Sequence, residues 1–300
     1  MKITEHKKGV YSLVYLALVY ASMGLFVRYL ATSFEIFQQI YLRIFAAFVI
    51  ALIVFNRKLD FSKLLKISVK EWGLISLRAF CFYILGVNLY TRALLLTKYS
   101  NVSFIGSLPI TALFGFLLFK EKLGLKKILL IVLAFVGVFL ISVTDYSNLL
   151  KWGLGDIYAL ISAVFFSFGY VTRRWHSNLL NNQEITALTF FLGIFMLLFA
   201  SFVSGEGVPT TGWGLGIGLA ILGAGFFNVM NNYLSNYGFQ KVEAILASNI
   251  LTLESFFAVL LGFLFFREFP SLKELFGGLL IVLAVVLMNE VESTESKKTS

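Results

Sequence analysis

Gly115-Phe-Leu-Leu-Phe-Lys-Glu121 recurs as Gly262-Phe-Leu-Phe-Phe-Arg-Glu268, with five of seven positions identical at a shift of 147. Ser22-Met-Gly24-Leu-Phe-Val-Arg28 recurs as Ser167-Phe-Gly169-Tyr-Val-Thr-Arg173 at a shift of 145. Leu130-Ile-Val-Leu-Ala134 recurs as Leu280-Ile-Val-Leu-Ala284 at a shift of 150. The three pairs keep one order along the chain at about half its length, which is how an internal repeat shows itself in a membrane protein.

The setting of the repeat is lipid. Of 300 residues, 59% are hydrophobic and 14% charged, a balance unsuited to a soluble domain. A spanning helix needs about 20 mostly apolar residues. The chain offers ten such stretches, near 10–30, 36–55, 72–96, 100–119, 126–143, 152–174, 184–203, 212–238, 245–266 and 272–289. Residues 207–240 hold no Asp, Glu, Lys or Arg. Five helices per copy is an odd number, so the second copy enters the membrane upside down. The expected fold is all-α and integral to the membrane: ten transmembrane helices as two inverted five-helix repeats. The division is an N-terminal tail 1–9, a first repeat 10–144, a second repeat 152–289 and a C-terminal tail 290–300.

The net charge of +9 is a topology signal, and no nucleic-acid partner is expected. With the N-terminus inside, seventeen basic residues fall on the inner segments: Lys2, Lys7, Lys8, Arg57, Lys58, Lys63, Lys66, Lys70, Lys120, Lys122, Lys126, Lys127, Arg173, Arg174, Lys241, Lys297 and Lys298. The outer ends hold Arg28, Lys98, Lys151, Arg267 and Lys273. The positive-inside rule therefore puts both termini in the cytoplasm of a multi-pass cell-membrane protein. Met1–Lys8 and the apolar run after it lack a small-residue cleavage site, so that run reads as an uncleaved first helix. The single Cys81 excludes a disulfide framework within the chain. Two histidines are too few for zinc or haem ligation patterns. No phosphate-binding loop is present, so neither metal, cofactor nor ATP-driven pumping is expected.

Arg43, Tyr90, Ala93-Leu94, Pro109, Lys120-Glu121-Lys122-Leu123 and Gly137 in the first half, with Gly155-Asp156, Glu254, Arg267-Glu268 and Gly277-Gly278 in the second, resemble the drug/metabolite transporter superfamily, EamA type. The resemblance spans nearly the whole chain. It implies ten helices in inverted repeats, a cavity between helices 1, 3, 4, 6, 8 and 9, and secondary export or exchange of small metabolites. Members handle amino acids, drugs, nucleotide sugars and lipid-linked sugars. The family commonly has Glu-Pro in helix 9. Here Glu254 is followed by Ser255, so a proline kink is not expected there.

Charges near the bilayer centre cost about 3 kcal/mol or more and call for a partner or a wet cavity. Arg43, Arg78, Arg92 and Glu254 stand in such positions. Arg78 and Arg92 lie fourteen residues apart on one face of helix 3, with Asn88 at its margin. They either snorkel to the headgroups or attract anionic substrate groups. Arg43 serves an ion pair with Glu254, a carbonyl cap or a substrate. Glu254 is the one carboxylate deep in a span, suited to structural pairing, to proton coupling or to binding a cation. By ideal helical phase it lies about 200° from Thr252, facing another helix.

Neutral polar residues form coherent stripes. Helix 8 carries Asn228, Asn231, Asn232, Ser235 and Asn236. Helix 4 carries Ser103, Ser107 and Thr111 beside Gly106 and Pro109, which predicts a kinked helix. Helix 9 carries Ser248, Thr252 and Ser255. Such stripes either line a cavity or hydrogen-bond packed helices to one another. Trp72, Trp152, Trp175 and Trp213 read as interfacial anchors. Tyr83, Tyr90, Tyr170, Tyr233 and Tyr237 are candidates for the path.

The expected function is a secondary transporter, gradient-driven or facilitative, that exports or exchanges small polar metabolites such as amino acids or organic acids by alternating access. Its partners are the small-molecule substrate, membrane lipid and protons as coupling ion. The alternatives are a flippase for a lipid-linked substrate, a membrane-embedded enzyme and, third, a channel.

Overall fold

The computed structural model describes residues 4–143, 152–267 and 269–299. Its ten apolar stretches form ten membrane-length helices: α1 Glu5–Leu30, α2 Ile36–Val54, α3 Val69–Leu96, α4 in two pieces, Tyr99–Gly106 and Ile110–Phe119, α5 Leu125–Ser142, α6 Leu154–Val171, α7 Asn182–Val203, α8 Leu215–Lys241, α9 in two pieces, Ala244–Leu251 and Leu253–Phe266, and α10 Leu272–Thr299. In lipid every backbone polar group must be satisfied internally, which leaves helices as the solution for such a sequence. Helix starts are set by side-chain caps. Ser68 accepts from the Glu71 amide, Asn181 from the Glu184 amide, and Asp156 reaches back to the Gly153 amide at 2.9 Å, each satisfying an orphan donor of a first turn.

Two helices overrun the expected tails. α1 begins at Glu5, and α10 continues to Thr299 through strong helix formers such as Glu290 and Glu292. His6 Nε2 meets Asn289 Oδ1 at 3.3 Å, so both ends lie on one face, the terminal face; the other is the distal face. Met1, Lys2, Lys151 and Glu268 lie outside the described residues, as do the side chains of Lys297 and Lys298.

The repeat is written into the backbone as well. Lys120 (φ 54°) and Arg267 (φ 56°) are the two non-glycine residues with positive φ among the described residues. They are the basic positions of the duplicated heptapeptide, so each copy ends its fourth helix with the same left-handed turn. The copies also share broken fourth helices. α4 breaks between Gly106 and Ile110, where Pro109 lacks an N–H to continue the ladder. α9 breaks at Thr252 without a proline. There the Thr252 hydroxyl and amide both bond to the Asn249 carbonyl, at 2.6 and 3.2 Å, and Ser255 bonds back to Thr252 at 3.2 Å. A hydroxyl competing for the i−3 carbonyl tightens the turn and does the work expected of the proline.

The copies are interleaved. α1 packs most heavily on α8, α2 on α8 and α7, α3 on α6 and α7, and α4 on α6 and α9. α5 and α10 pair at the edge. Outward faces are apolar, with Phe199, Leu215 and Leu264 exposed as a lipid solvent requires. Trp152, Trp175 and Trp213 sit exposed at or near span ends.

Candidate substrate cavity

Between the halves lies a cavity of about 140 Å³. α1 contributes Tyr20, Met23 and Val27; α3 contributes Val87 and Tyr90; α4 contributes Val102, Ser103, Gly106, Thr111 and the unwound Ser107-Leu108. α6 contributes Ala159, Ser162, Ala163, Phe166, Ser167 and Tyr170; α8 contributes Asn228 and Asn231; α9 contributes Ser248, Leu251, Thr252 and Glu254. These are the six helices that the resemblance implied. Arg43 of α2 joins them.

Of the residues singled out in the sequence, the structure brings Arg43, Tyr90, Ser103, Ser107, Thr111, Asn228, Asn231, Thr252 and Glu254 to this one space. Arg78, Asn88, Arg92 and Asn232 do not line it. The cause in α3 is a stretch of wider π turns over Phe80–Val87, which slips the phase between Arg78 and the residues beyond it. Tyr90 thereby faces the cavity while Arg92 turns aside, its Nε donating to Asn88 Oδ1 at 3.0 Å. Arg78 is wholly buried and so does not snorkel. On α8 the stripe divides. Asn228 and Asn231 face the cavity, whereas Asn232 donates to Tyr83 Oη at 3.1 Å and Asn236 to Thr186 Oγ1 at 2.9 Å, bonds that fasten α8 to α3 and α7.

Glu254 departs from the phase argument. The break at Thr252 re-aims the helix, so Thr252 and Glu254 both reach the cavity, where an unbroken helix would oppose them. Nor do Arg43 and Glu254 form an ion pair, for no N···O contact within 4.0 Å joins them. Arg43 Nε caps the Gln39 carbonyl of its own helix at 3.2 Å, and its Nη2 has no partner. The cavity lining thus includes one cation and one carboxylate that are not paired with each other. Ser162 and Ser167, which the stripes did not include, complete the α6 wall. Ser162 donates to the Gly86 carbonyl at 2.9 Å, and Thr111 to Ser167 at 2.8 Å. Ser162 and Ser167, five residues apart, lie about 140° from each other on an ideal helix, so their spacing gave no stripe to read.

The two ends are closed by different means. Toward the terminal face, Tyr20 and Tyr170 join hydroxyl to hydroxyl, and Tyr170 is stacked on Phe239 with centroids 5.1 Å apart. Beyond them, buried Glu121 accepts Arg174 Nη1 at 2.5 Å and the Ala244 and Ile245 amides at 2.8 and 2.9 Å. Arg174 also donates to the Val242 carbonyl at 2.8 Å. One carboxylate therefore ties the end of α4 to the ends of α6 and α9. Gly115 makes room for it, since a Cβ there would stand 2.6 Å from Glu121 Oε2. Toward the distal face stands an apolar cluster: Val27, Ala93, Leu94, Val102, Ile105 and Ala159.

Comparison with known proteins gives this geometry a family. The model of the EamA-like transporter family matches the chain twice, over residues 7–143 and 153–290. The chain belongs to that family. It is a multi-pass membrane transporter and not an enzyme. An uncharacterized transporter of Archaeoglobus fulgidus is 28% identical over 227 residues, covering 72% of this chain and 67% of the relative. One from Methanothermobacter thermautotrophicus is 24% identical over 235 residues, covering 74% of this chain and 66% of the relative. The matched stretches thus span about two thirds of those relatives. A crystal structure titled only as that of a protein shares the fold of this transporter with a TM-score of 0.76 at 14% identity, over 93% of this chain and 96% of the other.

Proposed function

We propose that this transporter moves a small polar metabolite, such as an amino acid or organic acid, by alternating access, as an exporter or exchanger with both termini in the cytoplasm. The reading rests chiefly on one observation: a guanidinium and a carboxylate, unpaired with each other, face one enclosed space at the level where both α4 and α9 are broken. A cavity of about 140 Å³ has the room of about five waters at about 30 Å³ each, which suits a compact solute. The broken helices offer backbone groups and hinges at that level. Arg43 holds an anionic group of the solute. Glu254 takes a proton from one side and yields it to the other, linking solute movement to a proton gradient.

The charge-assisted lock of Glu121 and Arg174 on the terminal side, against an apolar cluster without such bonds on the distal side, supports reading this as a state closed toward the cytoplasm. Parting of the distal cluster and remaking of the terminal lock would then alternate. Counterflow in proteoliposomes, screened over amino acids, organic acids and sugars, tests the reading. Saturable exchange of one class is the expected result. Single-channel currents, or chemical change of the solute, would overturn it.

A further inference from the structure

Among the described residues, Arg78 is a buried charge whose three guanidinium nitrogens, Nε, Nη1 and Nη2, all lack a hydrogen-bond partner. Its relative exposure is 0%. Its guanidinium lies 4.8 Å from the centroid of Phe82, and no carboxylate stands within 4.0 Å among the described residues. Breaking a buried pair is costly because it leaves an uncompensated charge; Arg78 stands in that condition in this conformation.

Its surroundings place it between two spaces. On one side, Phe82 packs on Tyr170, with centroids 5.4 Å apart, and Tyr170 with Tyr20 forms the cavity floor. On the other side, Arg173 and His176, both within electrostatic reach of Arg78, line a vestibule of about 930 Å³ at the terminal face. Glu71, the carboxylate beside His176 and within electrostatic reach of Arg173, is engaged: His176 Nδ1 lies 2.8 Å from its Oε1, and the Ser177 amide donates to Oε2 at 3.1 Å. Burial, together with the charges of Arg78 and Arg173, pushes the His176 imidazole down to about 4, so it is neutral at pH 7. Glu71 is thus taken up by His176 and Ser177, and Arg78 keeps its charge without a hydrogen-bonded counter-ion between cavity and vestibule.

We propose that Arg78 is an anion station on the terminal half of the path, which takes the carboxylate or phosphate group of the solute once the Tyr20 and Tyr170 hydroxyls part. The missing counter-charge is then the cargo itself. The station's role in transit rests on the transport reading; its capacity to bind does not. Arg43 holds the anionic group in the cavity, the tyrosine pair separates the two cations, and Arg78 receives the group next.

The test is thermal unfolding of the purified full chain in detergent, titrated with sodium acetate and with inorganic phosphate at constant ionic strength, since a ligand of the native state raises the midpoint by mass action. The expected result is a saturable rise for at least one of the two anions. Tyr170→Phe, which loosens the floor, lowers the half-saturating concentration. Arg78→Lys, which keeps charge but loses the planar fork, raises it about tenfold, and Arg78→Ala abolishes the response. If Arg78→Ala does not fold, the Lys variant decides. A response that moves with Arg43→Lys and not with Arg78→Lys overturns the station while leaving the cavity reading intact. Absence of any response in both the wild type and Tyr170→Phe overturns it too. Failure of solute counterflow alone would sink transport and leave the binding result standing.

Discussion

Gly137 of α5 and Gly277 of α10 meet backbone to backbone. A Cβ on the first would stand 2.6 Å from the Gly277 carbonyl oxygen, and one on the second 2.7 Å from that of Gly137. Small residues let membrane helices approach in this way. Neither helix lines the cavity, so the pair braces its edge. Gly137→Ala should cost about 1–3 kcal/mol by overpacking. It should lower the thermal midpoint in detergent and leave solute affinity unchanged; an altered affinity would place the brace in the transport cycle.

Glu121 bonds to Arg174 and to two amides of α9, and under the proposed cycle these bonds break when the terminal side opens. Removing one charge of a buried pair costs about 3 kcal/mol, so Glu121→Gln should raise the terminal-open population about a hundredfold. Ser167→Cys in a Cys81→Ala background reports this through alkylation by a membrane-impermeant thiol reagent. The rate from the terminal side should rise at least tenfold, and an unchanged rate would count against the lock.

Glu254→Gln fixes a neutral side chain of the same shape in the cavity. Counterflow at equal pH should persist, while accumulation driven by a pH gradient should disappear. Gradient-driven accumulation at the wild-type rate would exclude Glu254 as the proton carrier.

His176 gives a pH dependence of defined sign. Its folded value, about 4, lies below the ordinary 6.5, so between these limits the unfolded chain binds more protons than the folded one. The stability contribution is whole above about 6.5 and is lost as pH falls toward 4. His176→Gln should flatten the thermal midpoint between pH 7 and 4.5 relative to wild type.

Lys120 adopts φ 54° with an exposed side chain, a conformation that costs an L-residue about 1–2 kcal/mol. Lys120→Gly should raise the chemical-denaturation midpoint by about 1 kcal/mol equivalent, after allowance for the entropy of glycine.

Much of this was legible in the sequence because lipid is an exacting solvent. Ten apolar runs of spanning length could form little but ten helices. For Ser103, Ser107 and Thr111 the spacing left a cavity and a helix contact equally open; all three line the cavity, and Thr111 also bonds to Ser167 of α6. What escaped were departures from ideal helical phase. Glu254 was expected to turn away from Thr252, and the break carried by the Thr252 hydroxyl brought the two together. Arg92 was expected beside Arg78, and the π turns from Phe80 to Val87 separated them. Asn232 and Asn236 are chemically indistinguishable from Asn228 and Asn231 on one stripe. Only the positions of Tyr83 and Thr186 decide which amides hold helices together and which remain for the cavity.

The interleaving of the repeats bears on how the chain is made. The principal partners of α1 and α2 are α8 and, for α2, α7, which the ribosome delivers roughly 150 to 210 residues later, about 7–40 s at ordinary synthesis rates. Through that interval α2 carries Arg43 into the bilayer on a helix whose eventual neighbours do not yet exist, at a penalty of about 3 kcal/mol at the helix centre. The arginine that lines the cavity is thus also, during biogenesis, a residue that gives an unfinished chain reason to hold the translocon.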